Sequence, residues 1–211
     1  FVVLPDARGL PPSGPANWGA GFLPAVYQGT TFSATKGRAA ITDLFPPDDP
    51  ALSPASEAAA RSFLAKINRR HAAARPGDTE LEARVASYEL AAKLQLSAPE
   101  VTELSGETRA TKALYGLDEK VTEDFGRRCL LARRLVERGV RFIQLTCPGG
   151  NGDRWDQHSA LHDGHMKNGK TVARPISALR QDLKQRGPFD RALVGWAGDV
   201  GRRGLAQGKG G

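Results

Sequence analysis

Three histidines lie within one short stretch of the sequence and are the first candidates for chemistry. His158, His162 and His165 are spaced i, i+4 and i+7, so on a helix they would share one face. Asp156 and Asp163 lie beside them. Neutral imidazole and carboxylate are common ligands for zinc, manganese and iron, so the stretch favours a metal-binding or catalytic role. The alternative is a solvated polar turn at the start of a helix, because the spacing matches no sharp zinc motif.

Asp199 and Arg202 form a second candidate pair, a few residues after the apolar run 192–196. A carboxylate at the end of a buried strand is a typical metal ligand in α/β hydrolytic enzymes. The planar fork of an arginine can hold a phosphate or sulfate group through two hydrogen bonds. A surface salt bridge between the two residues is the alternative, and the pattern alone does not choose between them.

Two further features carry no chemistry of their own. Cys147 has no histidine partner at a fixed spacing and no surroundings that would lower its pKa, so it is interpreted as a packing residue at a strand end. The glycine-rich run 149–152 lacks the Gly-Lys-Ser/Thr ending of a phosphate-binding P-loop. Neither feature predicts a nucleotide site or a reactive thiol.

Hydrophobic patterns predict the elements that would position the candidate residues. Apolar, β-branched runs predict buried strands at 1–4, 140–147 and 192–196, with the second of them central in a sheet. Helical periods predict helices at 54–74, 78–95, 124–138 and 159–186, the last interrupted at Pro175. A strand, a helical crossover and another strand make a βαβ unit, whose strands should be parallel. The fold class is therefore α/β.

The helices have their own sequence signals. Ser53 or Ser56 is expected to cap the first and Asp78 the second, and together they are predicted to form a scaffolding hairpin. Gly139 is a candidate for the end of the helix at 124–138. The residues expected to be buried on these helices are Phe63, Leu64 and Ile67 on the first, and Phe125, Cys129, Ala132 and Val136 on the third.

Ligands of parallel α/β sheets collect outside the carboxyl ends of the strands. The three predicted strand ends open into loops at Pro5-Asp6, 151–158 and 198–203, and all three loops carry polar groups. A binding site is expected there, and it would include both candidate groups described above.

Composition limits the class of protein. The chain has 211 residues, enough for one domain with a real core, and a formal net charge of +7. The arginines of 127–141 are spread through a segment with its own helical period, so they are interpreted as a solvated face and not as a nucleic-acid-binding module. No run approaches the length of a membrane span. The apolar start at Phe1 and the glycine-rich stop indicate a domain that is incomplete at both ends.

Several strings of residues, taken in order, resemble a large bacterial domain-of-unknown-function family that is sulfatase-like and related to alkaline phosphatases. The strings are 4–6 (LPD), 9–12 (GLPP), 17–19 (NWG), 21–30 (GFLPAVYQGT), 80–88 (ELEARVASY), 104–107 (LSGE), 113–118 (ALYGLD), 125–141, 155–159 (WDQHS), 164–165 (GH) and 182–187. The resemblance covers essentially the whole chain. It implies one partial domain over 1–211 with a helical insertion at about 54–98, in an α/β/α sandwich with a mostly parallel sheet. It also implies export by a twin-arginine signal.

The resemblance further implies a metal-dependent hydrolase of sulfate or phosphate esters. Asp156 and His158 match the family's Trp-Asp-x-His, and Asp199 and Arg202 match its Trp-Gly-Gly-Glu-Phe-Gly-Arg. Asp156, His158, His165 and Asp199 are thus expected to bind a divalent ion (Zn, Mn or Ca), and Arg202 to act on the anionic ester. The alternative is a non-catalytic envelope protein that binds sulfated or phosphorylated glycans through the same cleft.

The chain departs from the family pattern at several points. Asp199 stands where the family has glutamate, which would shorten a ligand's reach by about 1.5 Å, roughly one bond length. Arg203-Gly204 replaces Thr-Pro, and neither the upstream Gly-Gly-x-Ser/Asp region nor the downstream Asp-His motif is found. The nucleophile is therefore expected outside this chain, which alone is expected to be inactive.

Overall fold

The computed structural model describes residues 1–11, 13–23, 27–34, 53–78, 81, 85, 89, 101–147, 155 and 160–198. Within these ranges, three strands form one parallel sheet: β1 (Val2–Leu4), β2 (Thr30–Thr31) and β3 (Ile143–Leu145), in the order β2–β1–β3. Val2 lies opposite Thr30 on one side and Ile143 on the other. A parallel sheet combined with helices confirms the α/β class.

The strand β1 is the centre of this sheet. All three of its residues are buried, as its β-branched sequence predicts, and Pro5 follows directly. The predicted strand 140–147 is shorter than expected, and among the described strands it lies at one side of β1 and not in the centre. Phe142, just before β3, is 60% exposed and packs edge-on against Phe1. An apolar run predicts a strand, but hydrogen-bonded neighbours decide which strand is central.

Four helices have complete bounds in the described residues: α1 (Pro54–Ala73), α2 (Arg109–Leu114), α3 (Glu123–Glu137) and α4 (Leu161–Arg186). Ser53 caps α1, since its side chain accepts a hydrogen bond from the Ser56 amide. Gly139 follows α3 with φ of +83° and Gly187 follows α4 with φ of +89°. Both adopt the left-handed backbone conformation that commonly ends helices, and glycine adopts it without steric strain because it has no Cβ.

Helix α3 lies between the sheet and α4. Leu131, Ala132 and Leu135 pack with β1 in one apolar cluster. Phe125, Cys129 and Leu130 pack with α4 in a second cluster. Because both sides of α3 are covered, nine of its fifteen residues are buried. The predicted burial of Phe125, Cys129 and Ala132 is confirmed, and Val136 is partly buried.

Two predictions about the carboxyl-terminal third are wrong. Helix α4 occupies the region predicted at roughly 159–186, but it is not interrupted at Pro175, which lies inside it and is fully buried. One missing amide is tolerated in a helix of 26 residues that packs along α3. The predicted strand 192–196 is not a strand: a short 3-10 helix (Pro188–Arg191) leads into it, and Leu193 is 98% exposed. None of the described strands pairs with it.

The apolar stripe predicted on α1 is also not buried. Phe63, Leu64 and Ile67 are each about half exposed or more, and none of the described side chains of α1 is buried. The predicted cap of the next helix is confirmed, because Asp78 accepts a hydrogen bond from the amide of Leu81, which is helical. Most of the remainder of 78–95 lies outside the described residues. Among the helices described, none is long and apolar enough to cross a bilayer.

Candidate functional site at the carboxyl edge of the sheet

Two of the predicted strand-end loops begin side by side. Asp6 follows β1 and Thr146 follows β3, and the Asp6 amide donates a 3.2 Å hydrogen bond to Oγ1 of Thr146. Parallel strands end at the same edge of their sheet, which is why residues so far apart in sequence meet here. This edge is where ligands collect in open α/β sheets.

A buried arginine from α3 fixes both strand ends. Arg128 Nη1 donates to the Thr146 carbonyl at 2.6 Å, and its Nη2 donates to Asp6 Oδ2 at 3.2 Å. Nη2 also pairs with Asp124 at 2.8 Å, one turn earlier in α3. The side chains of Arg128 and Asp6 are 1% and 0% exposed. A buried charge of either sign is costly unless it is paired, so this pair holds the two strand ends and α3 in a single arrangement.

Arg8 covers Asp6 from the solvent side. Its amide and its Nε donate to Asp6 Oδ1 at 2.9 and 3.1 Å, and its Nη2 donates to Oδ2 at 3.3 Å. The Asp6 carboxylate therefore lies between two guanidinium groups. The Arg8 side chain itself remains 53% exposed at the carboxyl end of β1.

Cys147 lies at the same edge. Burial raises the pKa of its thiol to about 12, although the nearby positive charge of Arg128 acts in the opposite direction. The side chain packs against the cluster formed by α3 and α4. This agrees with its interpretation as a packing residue at a strand end.

An aromatic junction, defined as Trp155, His165 and Trp196, joins three segments of the chain. The Trp155 ring lies 5.6 Å from His165 on α4 and 5.4 Å from Trp196, measured between ring centroids, and both contacts are edge-on. Trp155 directly precedes Asp156 in the sequence, and Trp196 is three residues before Asp199. The junction thus brings together α4 and the chain next to both predicted ligand loops.

The two histidines of α4 differ in their surroundings. His165 is partly buried, and its Nδ1 lies 3.1 Å from the carbonyl oxygen of Leu161. A carbonyl only accepts, so Nδ1 donates this hydrogen bond, and in a neutral ring with that tautomer the lone pair is on Nε2. His162 is 86% exposed, and its Nδ1 lies 3.2 Å from Asp163. Since α4 begins only at Leu161, the predicted helical face of three histidines is not present on α4.

The other predicted site residues, Asp156, His158, Asp199 and Arg202, lie outside the described residues. In the described ranges there is no group of three or more metal-ligating side chains. His165 fits the role of one ligand, because a neutral imidazole whose Nδ1 donates to a carbonyl can offer Nε2 to zinc or manganese. Hydrogen bonding of the opposite nitrogen to a carbonyl is the usual way in which a histidine ligand is oriented.

Sequence reasoning missed the buried arginines. The arginines of α3 were expected on a solvated face, yet Arg128 and Arg133 are buried and paired with carboxylates. Their burial follows from the packing of α3 on both sides, which sequence periodicity does not reveal. The sequence did contain a sign of Asp6 and Arg8, because this polar pair comes soon after a buried strand. Polar residues follow the other predicted strands too, so this sign did not distinguish Asp6 and Arg8 as site residues.

A second ionic network lies between α3 and α4, and it centres on Arg133. This guanidinium contacts Glu107 at 2.7 Å, Glu137 at 2.6 Å and Asp182 at 3.2 Å. Asp182 also accepts hydrogen bonds from the Tyr115 hydroxyl at 3.0 Å and from Arg186 at 2.6 Å. Nearly every partner lies on the helices and turns that form the core, so we assign this network a structural role.

The network changes the acidity of its members. Burial alone would raise the pKa of Glu107, but hydrogen bonds from Arg133 and Arg134 outweigh it and hold that pKa below its usual value. The pKa of Tyr115 is raised, first by burial and then by the neighbouring carboxylate of Asp182. Both shifts favour the protonation states in which the hydrogen bonds of the network are made.

The fold and this edge define an α/β protein whose polar residues gather at the carboxyl ends of parallel strands. The chain belongs to the family described as protein of unknown function (DUF1501), whose family model matches residues 1–211. This confirms the resemblance at the level of a domain-of-unknown-function family. No curated protein and no solved structure matches the chain.

Proposed function

We propose that this chain contributes the metal-binding part of a metal-dependent hydrolase that acts on sulfate or phosphate esters, in an α/β/α sandwich of the sulfatase type. The proposal rests on the resemblance of the Trp155-Asp156-Gln157-His158 string to the family pattern and on the chemistry of the residues it names. The parallel sheet and the polar carboxyl edge are compatible with it.

One observation carries the proposal, namely the aromatic junction. Asp156 and His158 follow Trp155 closely in sequence, and Asp199 and Arg202 follow Trp196. Trp155 contacts both Trp196 and His165. The residues that precede the two predicted ligand loops therefore lie next to each other and next to His165.

Each residue has a definite part in the proposed reaction. Asp156, His158, His165 and Asp199 would hold the divalent ion through carboxylate oxygens and imidazole nitrogens. When bound, such an ion polarises the ester and stabilises negative charge in the transition state. Arg202 would bind the sulfate or phosphate oxygens, for which its planar fork is suited. The hydrogen bond from His165 to Leu161 would orient the ring so that Nε2 binds the ion.

The test uses metal uptake and turnover together. The protein is stripped with chelator, dialysed against zinc, manganese or calcium, and analysed for bound metal by mass spectrometry. Hydrolysis of 4-nitrophenyl phosphate and sulfate is measured on the protein with its full flanking sequence. His165→Ala and His158→Ala are compared with His162→Ala, a control on the helix that carries His165, since the His162 side chain is 86% exposed.

We expect stoichiometric uptake that falls at least about tenfold in His165→Ala and His158→Ala and is unchanged in His162→Ala. Turnover should disappear with chelator. Absence of metal uptake, or equal effects of the three substitutions, would contradict the proposal. Binding of a sulfated glycan that survives chelation, with no turnover, would instead support the non-catalytic alternative.

A further inference from the structure

We propose that Arg8 forms a binding site for the oxygens of a sulfate or phosphate group at the carboxyl end of β1. This inference deepens the proposed function and rests on it for the class of ligand. It concerns a residue that neither the sequence motifs nor the family resemblance singles out. The site comprises Arg8 itself and the groups that hold it, which are the buried Asp6 and Arg128 and the partly buried Thr146.

The Arg8 guanidinium is fixed before any ligand arrives. Its Nε and Nη2 both donate to Asp6, and its own amide donates to the same carboxylate. Asp6 cannot move away easily, because its side chain is fully buried, its amide is bonded to Thr146, and Arg128 holds its other face. An arginine on a surface ordinarily loses about 1.5–2 kcal/mol of side-chain entropy when it becomes ordered. Here Asp6 has already imposed that order, which favours binding.

The free end of the guanidinium faces away from Asp6. The contacts to Asp6 use the Nε–Nη2 side, and within the described residues Nη1 has no hydrogen-bond partner. The Nη1–Nη2 end therefore still offers two donors in the geometry that matches two oxygens of a tetrahedral anion. With 53% of the side chain exposed, an anion can approach this end from solvent.

The described charges around Asp6 are paired. Asp6 lies between the guanidinium groups of Arg8 and Arg128, and Arg128 also pairs with Asp124. The formal charges of these four groups balance, so the proposed site depends on the fixed geometry of the Arg8 guanidinium and not on an excess of positive charge. Of the two arginines, Arg8 is the one that solvent reaches.

The location fits a ligand site of this fold. Arg8 lies at the carboxyl edge of the sheet, where the loops after β1 and β3 begin. Its positive charge also opposes the rise in the pKa of the Cys147 thiol, which follows β3, so the two side chains are close enough to interact. A substrate whose ester group meets the loop after β3 would therefore find Arg8 on the neighbouring strand end.

The experiment measures anion binding without metal or turnover. Chelator-treated protein is titrated with sodium sulfate, sodium phosphate or sodium acetate at constant ionic strength, and the Nε–H and amide signals of Arg8 are followed by nitrogen-15 NMR. Arg8→Gln removes the charge, and Arg8→Lys keeps the charge but removes the fork. Arg69→Gln, on an exposed position of α1, removes the same charge elsewhere. Unchanged spectra of the core residues establish that each variant is folded.

We expect sulfate and phosphate to shift the Arg8 signals in the wild type and to bind about tenfold more weakly in Arg8→Gln. Arg8→Lys should weaken binding by about threefold to fivefold, and Arg69→Gln by less than about twofold. The site is refuted if the wild type shows no saturable binding, if acetate binds as well as sulfate, or if Arg8→Gln and Arg69→Gln behave alike. Because no metal is present, Arg8-dependent binding can hold while metal uptake fails, and then only the hydrolase proposal falls.

Discussion

Asp6 and Arg128 form an ion pair in which both side chains are almost completely buried, with Arg128 Nη2 3.2 Å from Asp6 Oδ2. The pair connects the end of β1 to the middle of α3. Removing one member leaves the other charged and buried, which costs far more than an exposed ion pair contributes.

The first prediction concerns this pair. Arg128→Met should lower the free energy of unfolding by about 3–5 kcal/mol, because the buried carboxylate of Asp6 would lose its buried guanidinium partner. Arg127→Met, at the neighbouring position of α3, should change it by less than about 0.5 kcal/mol. Urea denaturation followed by circular dichroism measures both. Equal stabilities of the two variants would mean that the buried pair does not hold the strand end.

The second prediction uses two glycines inside helices. A Cβ at Gly126 would overlap the carbonyl oxygen of Tyr115, whereas a Cβ at Gly169 on α4 would meet nothing within 4 Å. Gly126→Ala should therefore destabilise the protein by about 2–3 kcal/mol despite the better helix propensity of alanine. Gly169→Ala should stabilise it by about 0.5–1 kcal/mol. The same denaturation assay applies, and changes of the same sign in both variants would contradict the close approach of α3 to Tyr115.

The third prediction concerns pH and Glu107. Its pKa in the folded protein lies below the usual 4.5, since hydrogen bonds from Arg133 and Arg134 outweigh the effect of burial. A lowered folded pKa means that Glu107 contributes stability above its unfolded pKa, and that this contribution is lost as the pH falls through the folded pKa. Glu107→Gln should be less stable than wild type at pH 7, and the difference should shrink below about pH 4.5.

Unfolding curves between pH 3 and pH 7 test this dependence. Glu89→Gln serves as the control, because Glu89 is an exposed helical residue, and it should run parallel to the wild type at every pH. A difference between Glu107→Gln and wild type that stays constant down to pH 3 would show that the ionised carboxylate is not what stabilises the fold.

The fourth prediction concerns the two free thiols, Cys129 and Cys147. Burial raises the pKa of Cys147 to about 12 and that of Cys129 further. At pH 8 the thiolate fraction of Cys147 would be about a thousandfold smaller than in the unfolded chain, and the thiolate is the reactive species. Alkylation by iodoacetamide, followed by mass spectrometry, should be correspondingly slow in the native protein and fast in concentrated urea. Rapid native alkylation of Cys147 would refute its packing role.

Sequence patterns correctly predicted those parts of the secondary structure that depend on residues close together in the chain. The β-branched run at 1–4 predicted the buried strand β1, and Ser53 and Gly139 correctly marked the start of α1 and the end of α3. These signals depend on residues within one turn of each other. Pro175 shows the limit of such rules, because packing along α3 keeps α4 continuous through it.

Features that depend on distant neighbours were not predictable. The run at 192–196 has the composition of a strand, but within the described residues it has no paired strand. Arg128 and Arg133 looked like surface charges because sequence does not show that α3 is covered on both sides. Of the predicted ligands, only His165 lies in the described residues. Its contact with Trp155 joins residues ten positions apart on different segments, so it could be seen only in the tertiary structure.

The pairing of β1 with β3 has a consequence for biosynthesis. The central strand lies near the start of this sequence, while the hydrogen bond from Asp6 to Thr146 joins residues 140 positions apart. During translation, β1 and Asp6 are made well before α3 and β3. Their contacts with those elements can form only after α3 and β3 have been translated. Contacts that close so late make folding slow and leave apolar surface exposed in the nascent chain. We therefore expect the newly made chain to depend on chaperones until β3 has emerged.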